Sequence, residues 1–380
     1  MEASTVLRLK GLTKRFGPIL ANDDITIELQ KGEVLALLGE NGAGKTTLMN
    51  MLFGHYLPDS GNIEIKRTDD NLVPLELGDP SAALAAGIGM VHQHFTLAEN
   101  ITAFENITLG AESLFSLRRN QKKAQTKIKS IMSHSGLDAP LDIPVGKLSV
   151  GERQRVEILK ALYRDAHILV LDEPTAVLTP QEADSLFSNL RRMTNQGLSV
   201  IFITHKMREV LSFSDRLVVL RDGKNVGSMK TSDASEKKIA RLMVGSETQK
   251  VSSKRIKPGG PILSLNEISV AGQSKRDSLH DVNLILNSNE ILGIAGISGN
   301  GQNVLADLIS GLVAPDRGSI VLKGVAIENI SPFNMIKSGF GRIPEDRHRQ
   351  GIVGGLSVSE NMIIERLDDP QIQNLSLIHI

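Results

Sequence analysis

Residues 39–46 read Gly39-Glu40-Asn41-Gly42-Ala43-Gly44-Lys45-Thr46, and Thr47 follows them. A glycine, four residues, a second glycine, a lysine and a serine or threonine form the phosphate-binding P-loop pattern. The pattern follows the apolar run Val34–Leu38, which predicts a strand, and it opens a predicted helix. Its glycines let backbone N–H groups converge on phosphate oxygens at the positive end of the helix. A tight turn with a surface lysine is the alternative, but the context favours a nucleotide site over residues 39–47.

The expected chemistry needs a metal ligand and a base as well as the loop. We expect Lys45 to bridge the β- and γ-phosphates and the Thr46 hydroxyl to ligate Mg²⁺. The strand-like run Ile168–Leu171 ends at Asp172 and Glu173, at the edge where α/β sheets place ligands. Asp172 would hold Mg²⁺, directly or through water, and Glu173 would polarise the attacking water. Two acids after a strand are by themselves an ordinary solvated loop, and it is the P-loop upstream that favours catalysis.

The first half of the chain alternates strands with helices, which predicts an α/β protein with a parallel sheet covered by helices. Residues Ala103–His134 carry only helical patterns and predict an inserted helical subdomain. Its Arg118-Arg119 and Lys122-Lys123 pairs are expected to form a solvated face rather than a phosphate or lipid patch. The predicted strands are Val34–Leu38, Ile168–Leu171 and Val200–Thr204, and the predicted helices are Glu152–Arg164 and Pro180–Met193.

The chain also repeats itself, which indicates two copies of one unit. Lys31–Gly39 aligns with Ser288–Gly296, and Val6–Lys10 aligns with Ile262–Asn266. Further matches pair Gly42 with Gly299, Gly44 with Gly301, Leu48 with Leu305, Gly54 with Gly311, and Pro58-Asp59 with Pro315-Asp316. We therefore predict a first domain at residues 1–245, a linker rich in Ser, Lys, Gly and Pro at residues 246–260, and a second domain at residues 261–380.

The phosphate loop of the second copy is weakened. Gln302 and Asn303 stand where the first copy has Lys45 and Thr46. Without an ammonium, charge neutralisation at the β- and γ-phosphates is lost, and an amide is a poorer Mg²⁺ partner than a hydroxyl. We predict weak or non-hydrolytic nucleotide binding in this copy.

Composition narrows the range of functions. The 380 residues include 43 Lys+Arg and 43 Asp+Glu, a formal net charge of +0, so we expect no nucleic-acid partner. The chain has no Cys, which excludes a disulfide framework, a Cys-ligated metal and a thiol nucleophile. We find no signal-peptide pattern and no apolar run long enough to cross a bilayer, so any membrane role is expected to be peripheral, through a partner.

A third segment, Leu148-Ser149-Val150-Gly151-Glu152, separates one class of nucleotide-hydrolysing proteins from the others. Ser149 and Glu152 also have the spacing of a helix capping box, and both interpretations can hold together. The P-loop, this segment and the Asp-Glu pair, in this order, resemble the ATP-binding cassette (ABC) family. The resemblance implies that Ser149 and Gly151 cap the γ-phosphate of ATP held by another cassette.

The same resemblance implies roles for three further residues and an architecture. Phe16 would stack on adenine, Gln93 would lie near Mg²⁺ and the transmembrane subunit, and His205 would contact the γ-phosphate. The implied fold is P-loop ABC cassettes in tandem, each with a parallel-sheet core, an antiparallel β subdomain and a helical subdomain. Two positions depart from the family pattern: Val150 replaces a glycine and Thr179 replaces an aspartate. We expect these two changes to alter communication between the two nucleotide sites of paired cassettes.

Other segments resemble one branch of the family. The weakened second P-loop, Pro344–Arg347 and Ser357–Asn361 resemble the tandem-cassette ATPases of simple-sugar importers, the ribose, galactose and xylose type, and Met90–Phe95 with Arg342–Gly351 resembles the nucleoside-importing branch. The resemblance implies an ATPase that powers import of nucleosides or simple sugars from the cytoplasmic face of the membrane. Its partners would be transmembrane permease subunits, contacted through Gln93–Asn106, indirectly an extracytoplasmic substrate-binding protein, and a second copy of the chain.

Two alternatives belong to other classes. A soluble tandem-cassette factor acting on ribosomes would generally carry two intact phosphate loops and a long charged linker, unlike this chain. A P-loop kinase or GTPase would leave residues 148–152 unexplained.

The spacing within the first copy predicts that the second is incomplete. Asp172 follows Gly39 by 133 residues, so the second acidic pair would fall near position 429, beyond residue 380. The ending Leu375-Ser-Leu-Ile-His-Ile380 matches what one frame of a sequencing adapter would encode. We expect a carboxyl-terminally truncated chain with low ATPase activity in isolation.

Overall fold

The computed structural model describes residues 4–66, 71–92, 95–111, 121–176, 178–245, 256–272, 278–296, 300–344 and 350–367. It divides into two compact units, Met1–Lys250 and Val251–Ile380. In the part of the chain described, no helix combines the length and the apolar character needed to cross a membrane.

The described strands of the first unit form two sheets. They are β1 (Thr5–Phe16), β2 (Ile19–Gln30), β3 (Val34–Leu38), β4 (Ser60–Lys66), β5 (Leu72–Pro74), β6 (Ile88–Val91), β7 (Ile168–Asp172), β8 (Ser199–Ile203), β9 (Arg216–Arg221) and β10 (Lys224–Lys230). One sheet is antiparallel, in the order β2-β1-β4-β5. The other has the order β10-β9-β3-β8-β7-β6 and is parallel except for the β9–β10 hairpin.

Helices surround the mainly parallel sheet. They are α1 (Lys45–Leu52), α2 (Pro80–Ala85), α3 (Ala103–Thr108), α4 (Gln121–Ser135), α5 (Val150–Tyr163), α6 (Pro180–Thr194), α7 (Met207–Phe213) and α8 (Glu236–Val244), with short 3-10 turns at Val145–Lys147 and Thr231–Asp233. The predicted helical insertion is observed as α3 and α4. Lys122 and Lys123 are exposed on α4, whereas Arg118 and Arg119 lie outside the described residues.

Strand β3 is central because all five of its residues are buried and apolar. It pairs with β8 on one side and β9 on the other. Val34, Ala36 and Leu38 pack into the core that contains α3 to α6, and Leu35 and Leu37 pack into the core shared with the antiparallel sheet. Since each buried aliphatic side chain contributes about 1.5–3 kcal/mol, this strand is a rigid base for the loop that follows it.

The predicted elements agree with the structure within a residue or two. Val34–Leu38 is observed as predicted, and the second predicted strand extends to Asp172. The third strand ends at Ile203, so that Thr204 lies in the following loop. The helix predicted at Glu152–Arg164 begins two residues earlier, at Val150, because Ser149 is its N-cap.

The second unit contains a smaller sheet and three described α-helices. Its strands are β11 (Pro261–Val270), β12 (Leu279–Asn287), β13 (Arg317–Leu322) and β14 (Val325–Ala326), in the order β12-β11-β13-β14, all antiparallel. The helices are α9 (Gln302–Ile309), α10 (Pro332–Lys337) and α11 (Val358–Ile363), the last followed by a 3-10 turn at Ile364–Arg366. Leu263, Leu265, Ile268, Leu308 and Ile320 form the centre of its core.

The expectation of a parallel-sheet core in each copy is wrong for the described part of the second unit. Ile291, which aligns with Val34, is 99% exposed, whereas Val34 is 0% exposed. Residues 291–296 form no strand. Val34–Leu38 is held by hydrogen bonds to β8 and β9, and the described residues of the second unit contain no strand that pairs with 291–296 in this way. A strand is stabilised by its neighbours, so an apolar run alone does not form one.

Candidate active site

The phosphate loop joins the end of β3 to the start of α1. Gly44 is the residue before α1 and has a left-handed backbone, with φ of 94°. A Cβ at Gly44 would lie 2.3 Å from the carbonyl oxygen of Ala21, so both the conformation and the space require glycine. Asn22, which is buried in β2, donates from Nδ2 to the Gly44 carbonyl at 3.2 Å. The loop is therefore anchored by the antiparallel sheet as well as by β3.

Lys45 folds back over this loop. Its Nζ donates to the carbonyl oxygens of Gly39 at 2.7 Å and Glu40 at 2.8 Å. Burial lowers the pKa of the Lys45 ammonium, although the carboxylates of Glu173, Asp172 and Glu40 act to raise it. A buried ammonium held only by carbonyl oxygens can exchange them for phosphate oxygens, which are stronger acceptors.

The other loop residues differ in what they can offer a ligand. Glu40, Asn41, Gly42 and Thr46 are exposed, and Thr47 is half-buried. The Ala43 side chain packs into the core, and its N–H donates to the Glu40 carbonyl at 3.1 Å. Ala43 therefore supports the loop from beneath, and Thr46 presents its side chain at the start of the helix.

Asp172 is the last residue of β7, which pairs with β8, and Glu173 follows it. Burial raises the pKa of the Asp172 carboxyl, the neighbouring Glu173 adds to the rise, and Lys45 opposes it. A carboxylate in this position would be stabilised by a cation. The described residues contain no cluster of three or more His, Cys, Asp or Glu that could hold a metal.

Glu173 is held in an unusual backbone conformation beside His205. Its φ is 46°, which is rare for a residue with a side chain and is found at functional sites. Its N–H donates to the Ile203 carbonyl at 3.0 Å, and its Oε1 lies 3.0 Å from His205 Nδ1. The parallel pairing of β7 with β8, in which Asp172 opposes Ile203, brings the two residues together.

A hydrogen-bond network behind this pair was not predicted. Glu209, in α7, accepts from the hydroxyls of Thr175 and Thr204, the latter at 3.2 Å, and lies 3.3 Å from Lys206 Nζ. Lys206 Nζ also donates to the Thr175 carbonyl at 2.8 Å. Thr204 and Lys206 flank His205, so the network ties the loop of His205 to the loop of Glu173. In the sequence, the only sign of this network is a threonine near each functional residue. Threonine is common in loops, so this sign does not predict the network.

Ser149 and Gly151 lie at the start of α5. The Ser149 N–H donates to Glu152 Oε2 at 2.8 Å, and Ser149 Oγ accepts from the Glu152 N–H at 3.3 Å, so the capping box is confirmed. A Cβ at Gly151 would lie 2.6 Å from Glu182 Oε1. Thr179 caps α6 through the same Glu182, in a second capping box. Threonine therefore serves as a helix cap where the family pattern has an aspartate.

Among the described residues, the predicted site residues form one cluster and two further groups. The phosphate loop, Asp172, Glu173 and His205 share the carboxyl edge of β3, β7 and β8. Phe16 ends β1, with its ring against Tyr56. Ser149 and Gly151 lie at the start of α5, where the described side-chain hydrogen bonds of Ser149 are made with Glu152. Gln93 lies outside the described residues.

The sequence model of a family described as "ABC transporter" matches residues 22–176 and 279–377. The chain belongs to the ABC transporter family. As a member of this family it is an ATP-binding protein, and the resemblance inferred from the motifs is confirmed.

Relatives of this ABC protein are similar over most of its length. It is 42% identical to the glucose import ATP-binding protein TsgD13 of Haloferax volcanii, over 95% of this chain and 70% of that protein. It is 40% identical to the nucleoside import ATP-binding protein NupA of Lactococcus lactis, over 97% of this chain and 72% of the relative. The guanosine import ATP-binding protein NupO of Bacillus subtilis is also 40% identical, over 98% of this chain and 72% of the relative. These relatives do not favour the ribosome-acting alternative.

Solved ABC structures agree with the fold. The ADP conformation of MJ1267, an ATP-binding cassette of an ABC transporter, has a TM-score of 0.54 and 26% identity, covering 63% of this chain and 95% of that chain. The dimeric post-hydrolysis state of the cassette MJ0796, bound to ADP and Pi, has a TM-score of 0.51 and 25% identity, covering 59% of this chain and 98% of that chain. The α/β P-loop ABC cassette fold is therefore confirmed.

The second unit of the ABC protein has a similar loop with different chemistry. Gly301 precedes α9 in the left-handed conformation of Gly44, with φ of 86°. The Gln302 amide lies close to Gly296, as the Lys45 ammonium lies close to Gly39. A Cβ added at Gly296 would be only 2.1 Å from Gln302 Nε2. Gln302 Oε1 accepts from the Asn300 N–H at 3.2 Å. At the described ends of this segment, Gly296 and Gly301, the second unit thus keeps both glycines, and a neutral amide stands in place of the ammonium.

Proposed function

We propose that this ABC protein is the ATP-binding and ATP-hydrolysing subunit that powers import of nucleosides or simple sugars across a membrane. The observation that carries the proposal is the Glu173–His205 pair at the sheet edge that also carries Lys45, with 3.0 Å between Glu173 Oε1 and His205 Nδ1. The names of the relatives, which import glucose, nucleosides and guanosine, support the substrate class.

In this proposal the residues of the first unit divide the work of hydrolysis. Residues 39–47 bind the phosphates, Lys45 neutralises their charge, and Phe16 stacks on adenine. Glu173 accepts a proton from a water molecule while the oxygen of that water attacks the γ-phosphorus. The bond from the γ-phosphorus to the β,γ-bridging oxygen breaks, which gives ADP and phosphate. His205 orients Glu173 and contacts the γ-phosphate. Ser149 and Gly151 cap the phosphate of a partnering cassette.

Mg²⁺ is the metal that the donor set suits. Thr46 and Asp172 would hold it, with Gln93 near it. When bound, the ion supplies positive charge that stabilises the transferring phosphoryl group. The raised pKa of Asp172 means that this carboxyl takes up a proton at a higher pH than an ordinary aspartate, so metal binding would weaken as the pH falls through that range.

The assembly follows from the same proposal. The domains would be a first cassette at 1–245, a linker at 246–260 and a second, incomplete cassette at 261–380, in a tandem arrangement. The protein would bind transmembrane permease subunits from the cytoplasmic face of the membrane and respond indirectly to an extracytoplasmic substrate-binding protein. A second copy of the chain would supply the capping residues.

Reconstitution tests this function directly. Phosphate release is measured from proteoliposomes that contain the permease, its substrate-binding protein and this chain, with a panel of nucleosides, simple sugars and amino acids. We expect a nucleoside or a simple sugar to stimulate ATP hydrolysis. Stimulation by an amino acid alone, or ATP hydrolysis that no member of the panel changes, would contradict the proposal.

The permease contact gives a second prediction. We propose residues Gln93–Asn106 as the contact, but Asn106 is buried and bonds to the Ala98 N–H and carbonyl, so it supports the segment from inside. Phe95 is half-buried and Asn100 is exposed. We expect Phe95→Ala combined with Asn100→Ala to reduce capture of the chain by immobilised permease at least about tenfold, as loss of an interface aromatic does.

Lys129→Ala is the control for this pull-down, because Lys129 is exposed on α4 and is not one of the residues Gln93–Asn106. It should leave capture unchanged. Wild-type capture by the Phe95 and Asn100 double variant would remove the assignment of this segment.

A further inference from the structure

Asp59 fixes the end of strand β1, next to Phe16. Its N–H donates to the Thr13 carbonyl at 2.8 Å, and its Oδ2 accepts from the Arg15 N–H at 2.6 Å. Its Oδ1 accepts from Lys14 Nζ at 3.0 Å. These bonds, first that from the Arg15 N–H and then that from Lys14, lower the pKa of the Asp59 carboxyl. One aspartate therefore holds all three residues that precede Phe16.

Two side chains then fix the Phe16 ring. Lys14 Nζ, which also donates to the Leu57 carbonyl at 2.7 Å, lies 5.5 Å from the centre of the ring. Tyr56 meets the ring edge-on, with 5.4 Å between centroids and 73° between planes. Phe16 nevertheless remains 41% exposed and Tyr56 39% exposed. An aromatic ring that is held in place and still exposed can stack on a base with little further loss of side-chain entropy.

The second unit has the same backbone clamp without the ring. The Asp316 N–H donates to the Ser269 carbonyl at 2.9 Å, and Asp316 Oδ2 accepts from the Ala271 N–H at 2.7 Å. The alignment of Val6–Lys10 with Ile262–Asn266 places Val270 opposite Lys14 and Gly272 opposite Phe16. The clamp is thus common to both copies, whereas at the aligned positions Val270 and Gly272 stand in place of the cation and the aromatic ring.

We infer that Lys14, Tyr56 and Asp59 are positioning residues that hold Phe16 for the base of ATP, and that the corresponding position of the second unit, Gly272, provides no ring for a base. The inference rests on the proposed nucleotide site of the first unit, and it concerns recognition of the base rather than of the phosphates. The backbone clamp that both copies share, and not the ring, accounts for the recurrence of Pro58-Asp59 as Pro315-Asp316 outside both phosphate loops.

Two ligands separate the base from the phosphates. The dissociation constants of ATP and of inorganic tripolyphosphate are measured by calorimetry on the full chain, in the same Mg²⁺ buffer. We expect Asp59→Asn and Tyr56→Ala to weaken ATP binding about five- to tenfold, part of what a stacked base contributes, and to leave tripolyphosphate within about twofold. Tyr56→Phe should bind ATP as the wild type does, because the edge contact does not use the hydroxyl.

Two further variants test that the effect passes through Phe16. In a Phe16→Leu background, Asp59→Asn should cause no additional loss of ATP affinity. Asp316→Asn removes the matching clamp in the second unit and should leave the affinity for ATP unchanged. If Asp59→Asn does not fold, the comparison of Tyr56→Ala with Tyr56→Phe decides.

The inference is overturned if the Asp59 and Tyr56 variants weaken both ligands equally, if they leave ATP affinity unchanged, or if Asp316→Asn has the same effect as Asp59→Asn. It is also overturned if the wild type binds ATP no more tightly than tripolyphosphate. Absence of ATP hydrolysis in the reconstituted importer would instead contradict the proposed motor and leave this inference standing, because the calorimetry measures binding alone.

Discussion

Glu173→Gln is expected to stop turnover and leave ATP bound. We expect kcat to fall about 10²–10⁴-fold, which is the usual contribution of a general base, with the Kd for ATP within about twofold of the wild type. A neutral amide cannot take a proton from the attacking water. The amide oxygen can still occupy the place of Oε1, which lies 3.0 Å from His205 Nδ1, so the loss would be of chemistry and not of geometry. The measurements are phosphate release by the reconstituted importer and equilibrium dialysis with ATP.

A matched control is Glu236→Gln, because Glu236 is an exposed acid at the start of α8. It should leave both quantities unchanged. Adding His205→Ala to Glu173→Gln should cost less than His205→Ala does in the wild type, since the two side chains act as a unit. Wild-type turnover by Glu173→Gln would require a different base.

The phosphate loop could be predicted because its conformation is local. Gly39, Gly42 and Gly44 have positive φ values, and a side chain at Gly39 or Gly44 would also clash with neighbouring backbone. The capping box at Ser149 and Glu152 could be predicted for the same reason, because the partners are three residues apart. Patterns of this kind are read directly from neighbouring positions.

The surroundings of Glu173 could not be predicted in this way. Glu209 bonds to Thr175, 34 residues away, only because β7 and β8 pair in parallel with Asp172 opposite Ile203. The backbone N–H of Glu173, which has a φ of 46°, likewise donates to the carbonyl of Ile203 on the neighbouring strand. The motif order suggested that Glu173 and His205 act together, but their contact depends on strand register, which the sequence does not display.

The run at 291–296 shows the opposite error. Ile291, Leu292 and Ile294 carry the pattern of Val34–Leu38, and the repeat predicted a strand there. In the structure these three side chains are exposed, and no described strand of the second unit pairs with them. Strand formation depends on partners far along the chain, so the repeat predicts helix α9 and the left-handed Gly301 before it more reliably than a strand at residues 291–296.

Lys45→Ala is expected to remove detectable ATP binding from the first unit. Charge-assisted hydrogen bonds contribute about 1.5–3 kcal/mol each, so loss of an ammonium that bridges two phosphates should weaken binding at least about 100-fold. Equilibrium dialysis with labelled ATP measures the change. Unchanged affinity would refute the assignment of the phosphate loop.

The stability of the ATP-free protein separates this loss from misfolding. The pKa of Lys45 is lower in the folded chain than in the unfolded chain, so the charged ammonium is disfavoured by folding. This penalty is fully present at pH values below the folded pKa and disappears as the pH rises above the unfolded value. Lys45→Ala should therefore lower Tm at most by the small amount that corresponds to the two lost hydrogen bonds, from Lys45 Nζ to the carbonyls of Gly39 and Glu40. A large fall in Tm would attribute the binding loss to the fold.

The chain itself supplies the sharpest version of this experiment, because its second copy carries Gln302 in the place of Lys45. The Gln302 amide lies close to Gly296, the counterpart of Gly39, so Lys45→Gln should keep the fold of the first loop and remove only the charge. We expect Lys45→Gln to bind ATP as weakly as Lys45→Ala does. If Lys45→Gln retained wild-type affinity for ATP, the ammonium would not be the decisive group. The presence of Gln302 in place of Lys45 would then no longer predict weaker nucleotide binding by the second unit.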